Sequence, residues 1–253
     1  MNLATVLLRK ELLESWRTRR WPVVAVVAIL FGLTSPLLAR YLRELITLAG
    51  GSQFAGLSIP PPTQADALGQ YLKNASQIVF LLGILVSMGA VSGEKERGLA
   101  AMVLSKPVPR GLFLGCKYLG LLVVIGTAMA LGAAGAYYYT AVLFSAPDVA
   151  AFVGLNVLLF AYLALLMAIT LLASTLLPQA AAGAVGLGAF VGLSLLGALP
   201  GVGANLPSAL LTWAGQLALG DATHPAWGAL AVTLGGIVLC LGLAWAAFRR
   251  QEL

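Results

Sequence analysis

Glu94, Lys95, Glu96, Arg97, Lys106 and Arg110 all fall within Ser92–Gly111, "SGEKERGLAAMVLSKPVPRG", in a chain of 253 residues that has only 15 basic and 9 acidic side chains. These types at this spacing build no hydrolytic or metal centre. The chain has no HExxH, GxSxG or CxxC, and its single histidine is His224. Asp221 follows Gly220, but Ala218 stands where an intramembrane aspartyl protease would need glycine. What the spacing does build is a short helix. Glu94 and Glu96 fall in its first turn and Lys106 at its end, the signs a helix dipole favours. Leu99, Met102 and Val103 share one side at i, i+3 and i+4, and Pro107 stops the helix. Such a ridge suits a groove on a soluble partner. A helix lying on lipid, or a plain charged loop, fits the same pattern.

The elements that position this stretch are membrane spans. Hydrophobic residues make up 60% of the chain and charged ones 9%, where a soluble domain carries about 25% charged. A water-facing exterior cannot be built from that composition. The net charge of +6 sits beside apolar runs, which points to lipid headgroups and topology and away from nucleic acid. Cys116 and Cys240 lie in or beside apolar runs, so no disulfide is expected.

A helix needs about 20 apolar residues to cross about 30 Å of hydrocarbon. Six runs qualify, over 21–40, 75–91, 112–144, 149–177, 180–199 and 226–248. The first exceeds the apolar run of a secretory leader and has no A-x-A site after it, so it is read as a span. Twelve basic residues lie in 1–20, the 92–117 stretch and the tail, against Arg40, Arg43 and Lys73 on the other side. The rule that basic loops stay inside then puts both ends of the chain in the cytoplasm. Residues 1–20 read as an amphipathic helix, with Leu3, Val6, Leu7, Leu12, Leu13 and Trp16 near one side. The fold class expected is therefore an all-α integral membrane protein. It has six transmembrane helices, an N-terminal interface helix and a cytoplasmic helix between spans two and three, in one domain over 1–253.

The chain carries no energy source of its own. It has no GxxxxGK[ST] for ATP, and no span has an acid or base near its middle to serve an ion-coupled carrier. Mild polar groups remain inside, among them Gln77, Ser87 and Ser194. They read as helix–helix hydrogen bonds, or as the lining of a substrate path. Gly188 and Gly192 form a GxxxG spacing that permits close helix contact.

The stretch "EKERGLAAMVLSKPVPRGLFLGCKYLG" resembles the loop signature of ABC type-2 permeases, matching at Glu94, Glu96, Gly98, Leu104, Ser105, Pro107, Arg110, Gly115 and Lys117. "LLRKELLESWRTRRW" is similar to the interface helix of that family, at Arg9, Lys10, Glu11, Arg17 and Trp21. Among such permeases the chain looks closest to the multicopper-enzyme-maturation type that serves nitrous oxide reductase. It lacks the NPxD-like motif some of those carry before the last span, and has "LPSALLTWAGQLALGD" there instead. The resemblance implies a permease subunit of an ATP-driven exporter that pairs with a second permease, identical or different. Each copy would dock a separate ATP-binding subunit. ATP and magnesium would belong to that ATPase, with no cofactor and no catalytic site in this chain. The 93–110 loop would be the coupling helix, with Glu94, Lys95, Glu96, Arg97, Leu99, Met102, Val103, Lys106 and Arg110 facing the ATPase. Arg9, Lys10, Glu11, Trp16 and Arg17 would belong to the interface helix. An outer accessory protein is left open. The competing reading is a scaffold or mechanotransducing ABC component that moves no cargo. An ion-coupled carrier ranks below both.

Overall fold

The computed structural model describes residues 3–50, 61–98, 108–199, 203–221 and 225–251, with side chains at 43 and 45–50 left out. Ten α-helices follow one another among them: α1 (Leu3–Arg17), α2 (Arg20–Gly50), α3 (Gln64–Asn74), α4 (Phe80–Met88), α5 (Ser92–Glu96), α6 (Arg110–Leu143), α7 (Val149–Leu176), α8 (Gln179–Gly197), α9 (Ala209–Ala218) and α10 (Trp227–Arg249). A π-turn, Ala75–Val79, joins α3 to α4, and a 3₁₀ turn, Gly203–Asn205, precedes α9. The described residues contain no strand. Six segments are long and apolar enough to cross a membrane: Arg20–Leu42, Gln64–Glu96, Arg110–Leu143, Val149–Leu176, Gln179–Gly197 and Trp227–Arg249. The all-α, six-span architecture expected from composition is what the chain adopts.

The second span starts eleven residues earlier than its expected start at Ala75, at Gln64. Gln64, Asp66, Gln70, Lys73 and Asn74 give this stretch the composition of a loop. A capping box starts the helix nonetheless: Thr63 Oγ1 accepts from the Asp66 amide at 3.3 Å, and Asp66 Oδ2 accepts from the Thr63 amide at 2.8 Å. Ala67, Leu68 and Tyr71 then bury one side of it. Between α1 and α2 the break falls at Arg19, whose φ of 59° is left-handed.

The core is built round α7. In its membrane window 72% of residues are buried, against 17% in α8 and 22% in α10. Leu155, Leu159, Tyr162, Leu163, Leu166, Met167 and Leu171 are sealed along it. Helix α2 lies on α6, with backbones in contact: a Cβ on Gly32 would overlap the Gly132 carbonyl oxygen, and one on Gly132 would come within 2.5 Å of the Ala28 oxygen. Gly188 and Gly192 behave otherwise. A Cβ at either meets nothing within 4 Å, so this pair holds no helix contact among the described residues of the chain.

Candidate coupling site

The site is the turn between the second span and the loop that follows it. Helix α4 ends at Gly89, and α7 fixes the turn beyond. Ser174 Oγ accepts from the amides of Val91 (3.2 Å) and Ser92 (3.1 Å), and its own proton reaches the Met88 carbonyl at 2.8 Å. One buried hydroxyl thus takes up backbone groups that the end of α4 leaves unpaired. The chain re-enters a helix for the single turn of α5 and leaves it at Gly98, whose φ of 70° calls for glycine.

Consecutive residues of α5 face different parts of the molecule. Glu94 is 4% exposed. Its Oε1 accepts from Lys10 Nζ of α1 at 2.8 Å, and Lys117 Nζ of α6 also lies 2.8 Å away. Lys117 reaches both oxygens of Glu11 at 3.3 Å, while Lys10 reaches Glu11 at 3.1 Å and Glu14 at 3.4 Å. Burial alone would lower the Lys10 pKa, but hydrogen bonding and the charges of Glu94 and Glu11 outweigh it and hold it above the ordinary lysine value. Glu11, Glu14 and Glu94 come close enough to ligate a cation. Two ammonium groups, Lys10 and Lys117, already pair with these three carboxylates.

Lys95 turns the other way. Its Nζ donates to the Thr175 carbonyl at 2.6 Å and to the Gln251 side-chain oxygen, and it lies 5.4 Å from the Phe248 ring centroid. Gln251 Nε2 donates to the same Thr175 carbonyl at 2.9 Å. At the start of α6, Arg110 Nη1 reaches the carbonyls of Phe248 (2.8 Å), Arg249 (2.8 Å) and Gln251 (3.0 Å). It is a side-chain cap on the end of α10, with the charge sign that end favours. The Phe113 and Phe248 rings stack beside it at 5.8 Å.

This geometry corrects the sequence reading at three positions. Glu94, Lys95 and Arg110 were expected on a surface facing a partner. Their charged groups are spent inside the chain instead, because a carboxylate or ammonium this close to the membrane is stabilised by a fixed counter-charge or carbonyl. Glu96 and Arg97 are exposed. Leu99, Met102, Val103 and Lys106 lie outside the described residues. On α1, Lys10 and Glu11 belong to the ion cluster, Arg9 and Arg17 are exposed, and Trp16 is 59% exposed with its ring 5.1 Å from Trp21. The remaining polar residues are scattered and form no common lining: Gln77 is exposed, Ser87 is buried on α4, and Ser194 is exposed and donates to the Phe190 carbonyl of its own helix.

Sequence reasoning missed Gln251 and the partnership of Lys117 with Glu94. Lys117 had a readable signal. It is a lysine inside an apolar run, and such a group needs a named counter-charge. Ser174 is one of the mild polar groups inside the spans that read as helix–helix hydrogen bonds, and its hydroxyl does bridge α7 to the end of α4.

The comparison with known families bears on this site directly. The family model described as "ABC-2 family transporter protein" matches residues 5–253. The chain belongs to the ABC-2 transporter family. The match takes in nearly all of α1, the α5 turn and all six spans, and it makes this ABC-2 chain a multi-pass membrane protein of a transport family. The match is to the ABC-2 family and does not extend to the maturation-type subgroup that the sequence resembles. An uncharacterized transmembrane protein of Bacillus subtilis (strain 168), YxlG, is 30% identical over 146 residues, covering 57% of this chain. The match spans 56% of that relative's length.

Proposed function

We propose that this chain is the permease subunit of an ATP-driven exporter and that the loop beginning at α5 is where a separate ATP-binding subunit docks. The observation that carries the reading is the anchoring of α5. Glu94 ties it to α1 and α6, and Lys95 ties it to the ends of α7 and α10. A push on the exposed loop would therefore be felt at once by four helices. The docking contacts would come from Glu96, Arg97 and the residues after them. Family membership and the absence of a phosphate-binding motif from the sequence both support an outside source of energy.

Under this reading two copies, or this chain and a related one, pair in the membrane, each with its own ATPase carrying ATP and magnesium. Both ends of the chain lie on the cytoplasmic side of the cell membrane. Closure of the ATPases moves the two α5 turns and shifts the bundles between inward- and outward-facing states. The interior is apolar, so the cargo is hydrophobic or amphipathic.

The test is purification of the tagged chain from its native membranes, followed by reconstitution into vesicles. An ATPase bearing GxxxxGK[ST] should accompany it, and its hydrolysis rate should change when the chain is present. A chain that purifies alone and alters no ATPase overturns the proposal.

A further inference from the structure

Helices α6 and α7 are consecutive and antiparallel, joined by a short turn, yet they do not close on each other in the half of the bundle away from α1 and α5. A groove of about 640 Å³ separates them, within the size range of pockets that hold small ligands. Two contacts bound it. At the far end the Tyr137 ring meets Phe152 at 5.4 Å and its hydroxyl donates to the Pro147 carbonyl at 3.3 Å. Near the middle of the span, Phe160 comes so close to Gly126 that a Cβ there would sit 3.2 Å from the ring. Between these limits the α6 wall is Met129 and three short side chains, Ala130, Ala133 and Ala134.

Length and polarity define what fits. From Val149 to Phe160 on α7, or Gly126 to Tyr137 on α6, the groove runs ~16 Å at the α-helical rise. That is about half of a hydrocarbon core roughly 30 Å thick, the depth of one leaflet. Asn156 and Tyr137 are the lining residues with polar side-chain groups, and both are engaged: Asn156 Oδ1 accepts from Tyr71 at 2.6 Å and Nδ2 donates to Phe152 O at 2.9 Å, while Tyr137 holds Pro147. The lining is otherwise hydrocarbon. Val149, Val153 and Val157 are each more than half exposed along its edge, so it opens sideways toward the lipid.

We propose that this groove is a binding site for one acyl chain of a membrane lipid, in the leaflet away from α5, with the carboxyl end of the chain at Tyr137 and the methyl end at Phe160. The site does not depend on the transport reading above.

The test reconstitutes the full chain in phosphatidylcholine vesicles. These are doped with phosphatidylcholine carrying a diazirine in one acyl chain, placed either near the carboxyl end or at the terminal methyl. After illumination, labelled residues are mapped by mass spectrometry. The carboxyl-end probe should label the Tyr137–Val149 end, and the methyl-end probe the Gly126–Phe160 end. Both should exceed, severalfold, the labelling of Val238 and Leu239 on the open face of α10. Ala130→Phe with Ala134→Phe should abolish groove labelling and leave α10 labelling unchanged. The depth order in the unaltered chain stands even if that variant misfolds. Labelling no stronger than on α10, or no depth order, would each overturn the proposal.

Discussion

Glu94 Oε1 and Lys117 Nζ stand 2.8 Å apart with both side chains at most 5% exposed. The pair ties the last turn before the loop to the first turns of the span after it. Removing Glu94 leaves the buried Lys117 with only its longer contacts to Glu11 at 3.3 Å, and breaking a buried pair costs up to about 3–5 kcal/mol. Glu94→Ala should therefore lower the thermal midpoint of the detergent-solubilised chain sharply. Glu94→Leu combined with Lys117→Met should recover most of the loss, and a double-mutant cycle of unfolding measures the coupling.

Arg110 gathers three carbonyls at the end of α10 with one guanidinium group. Hydrogen bonds to a charged group are worth about 1.5–3 kcal/mol. Arg110→Ala should loosen that end and speed tryptic cleavage at Arg249 and Arg250 severalfold. Arg110→Lys should restore only part of the protection, since a point charge does not reproduce the planar fork.

Two glycine substitutions should separate the real close approach from the apparent one. Gly132→Ala forces α2 and α6 apart and should cost about 1–3 kcal/mol, the range for overpacking. Gly188→Ala points into open space and should stay within about 0.5 kcal/mol of the parent. Thermal unfolding of both variants in the same detergent decides it.

Lys10 has a pKa raised above its ordinary value. A raised lysine pKa stabilises the fold fully below the unfolded value, about 10.4, and loses that contribution only as pH rises through the folded value. The difference in thermal midpoint between the parent and Lys10→Met should thus be flat across neutral pH and shrink only at strongly alkaline pH. A difference that shrinks between about pH 6 and 8, far below the lysine range, would contradict the assignment.

The spans were legible because the bilayer demands long apolar runs, and five of the six begin within two residues of the expected positions. The start of α3 was not. Its polar residues resemble a loop, and only the Thr63–Asp66 capping box and the Tyr71 stripe make it helical. The motif singles out Glu94, Lys95 and Arg110 and points them at a partner, whereas their charged groups have partners within the chain. Sequence spacing puts charges on a loop without saying what lies beside them. Their partners, Lys10, Thr175 and Phe248, are 84, 80 and 138 positions away, and only the packing of α1, α7 and α10 brings them together. Gly188 and Gly192 show the reverse. The spacing was right, but α8 turns that face outward.

The central claim is that the exposed part of the α5 loop meets an ATP-binding subunit while Glu94 holds the loop from behind. Photocrosslinkers placed singly at Glu96 and Arg97, and at Trp227 on the opposite end of the bundle as a control, test it in native membranes. Adducts with one GxxxxGK[ST] ATPase from 96 and 97 and none from 227 are the result the account predicts. Absence of that adduct from 96 and 97, or equal yield from 227, would contradict it.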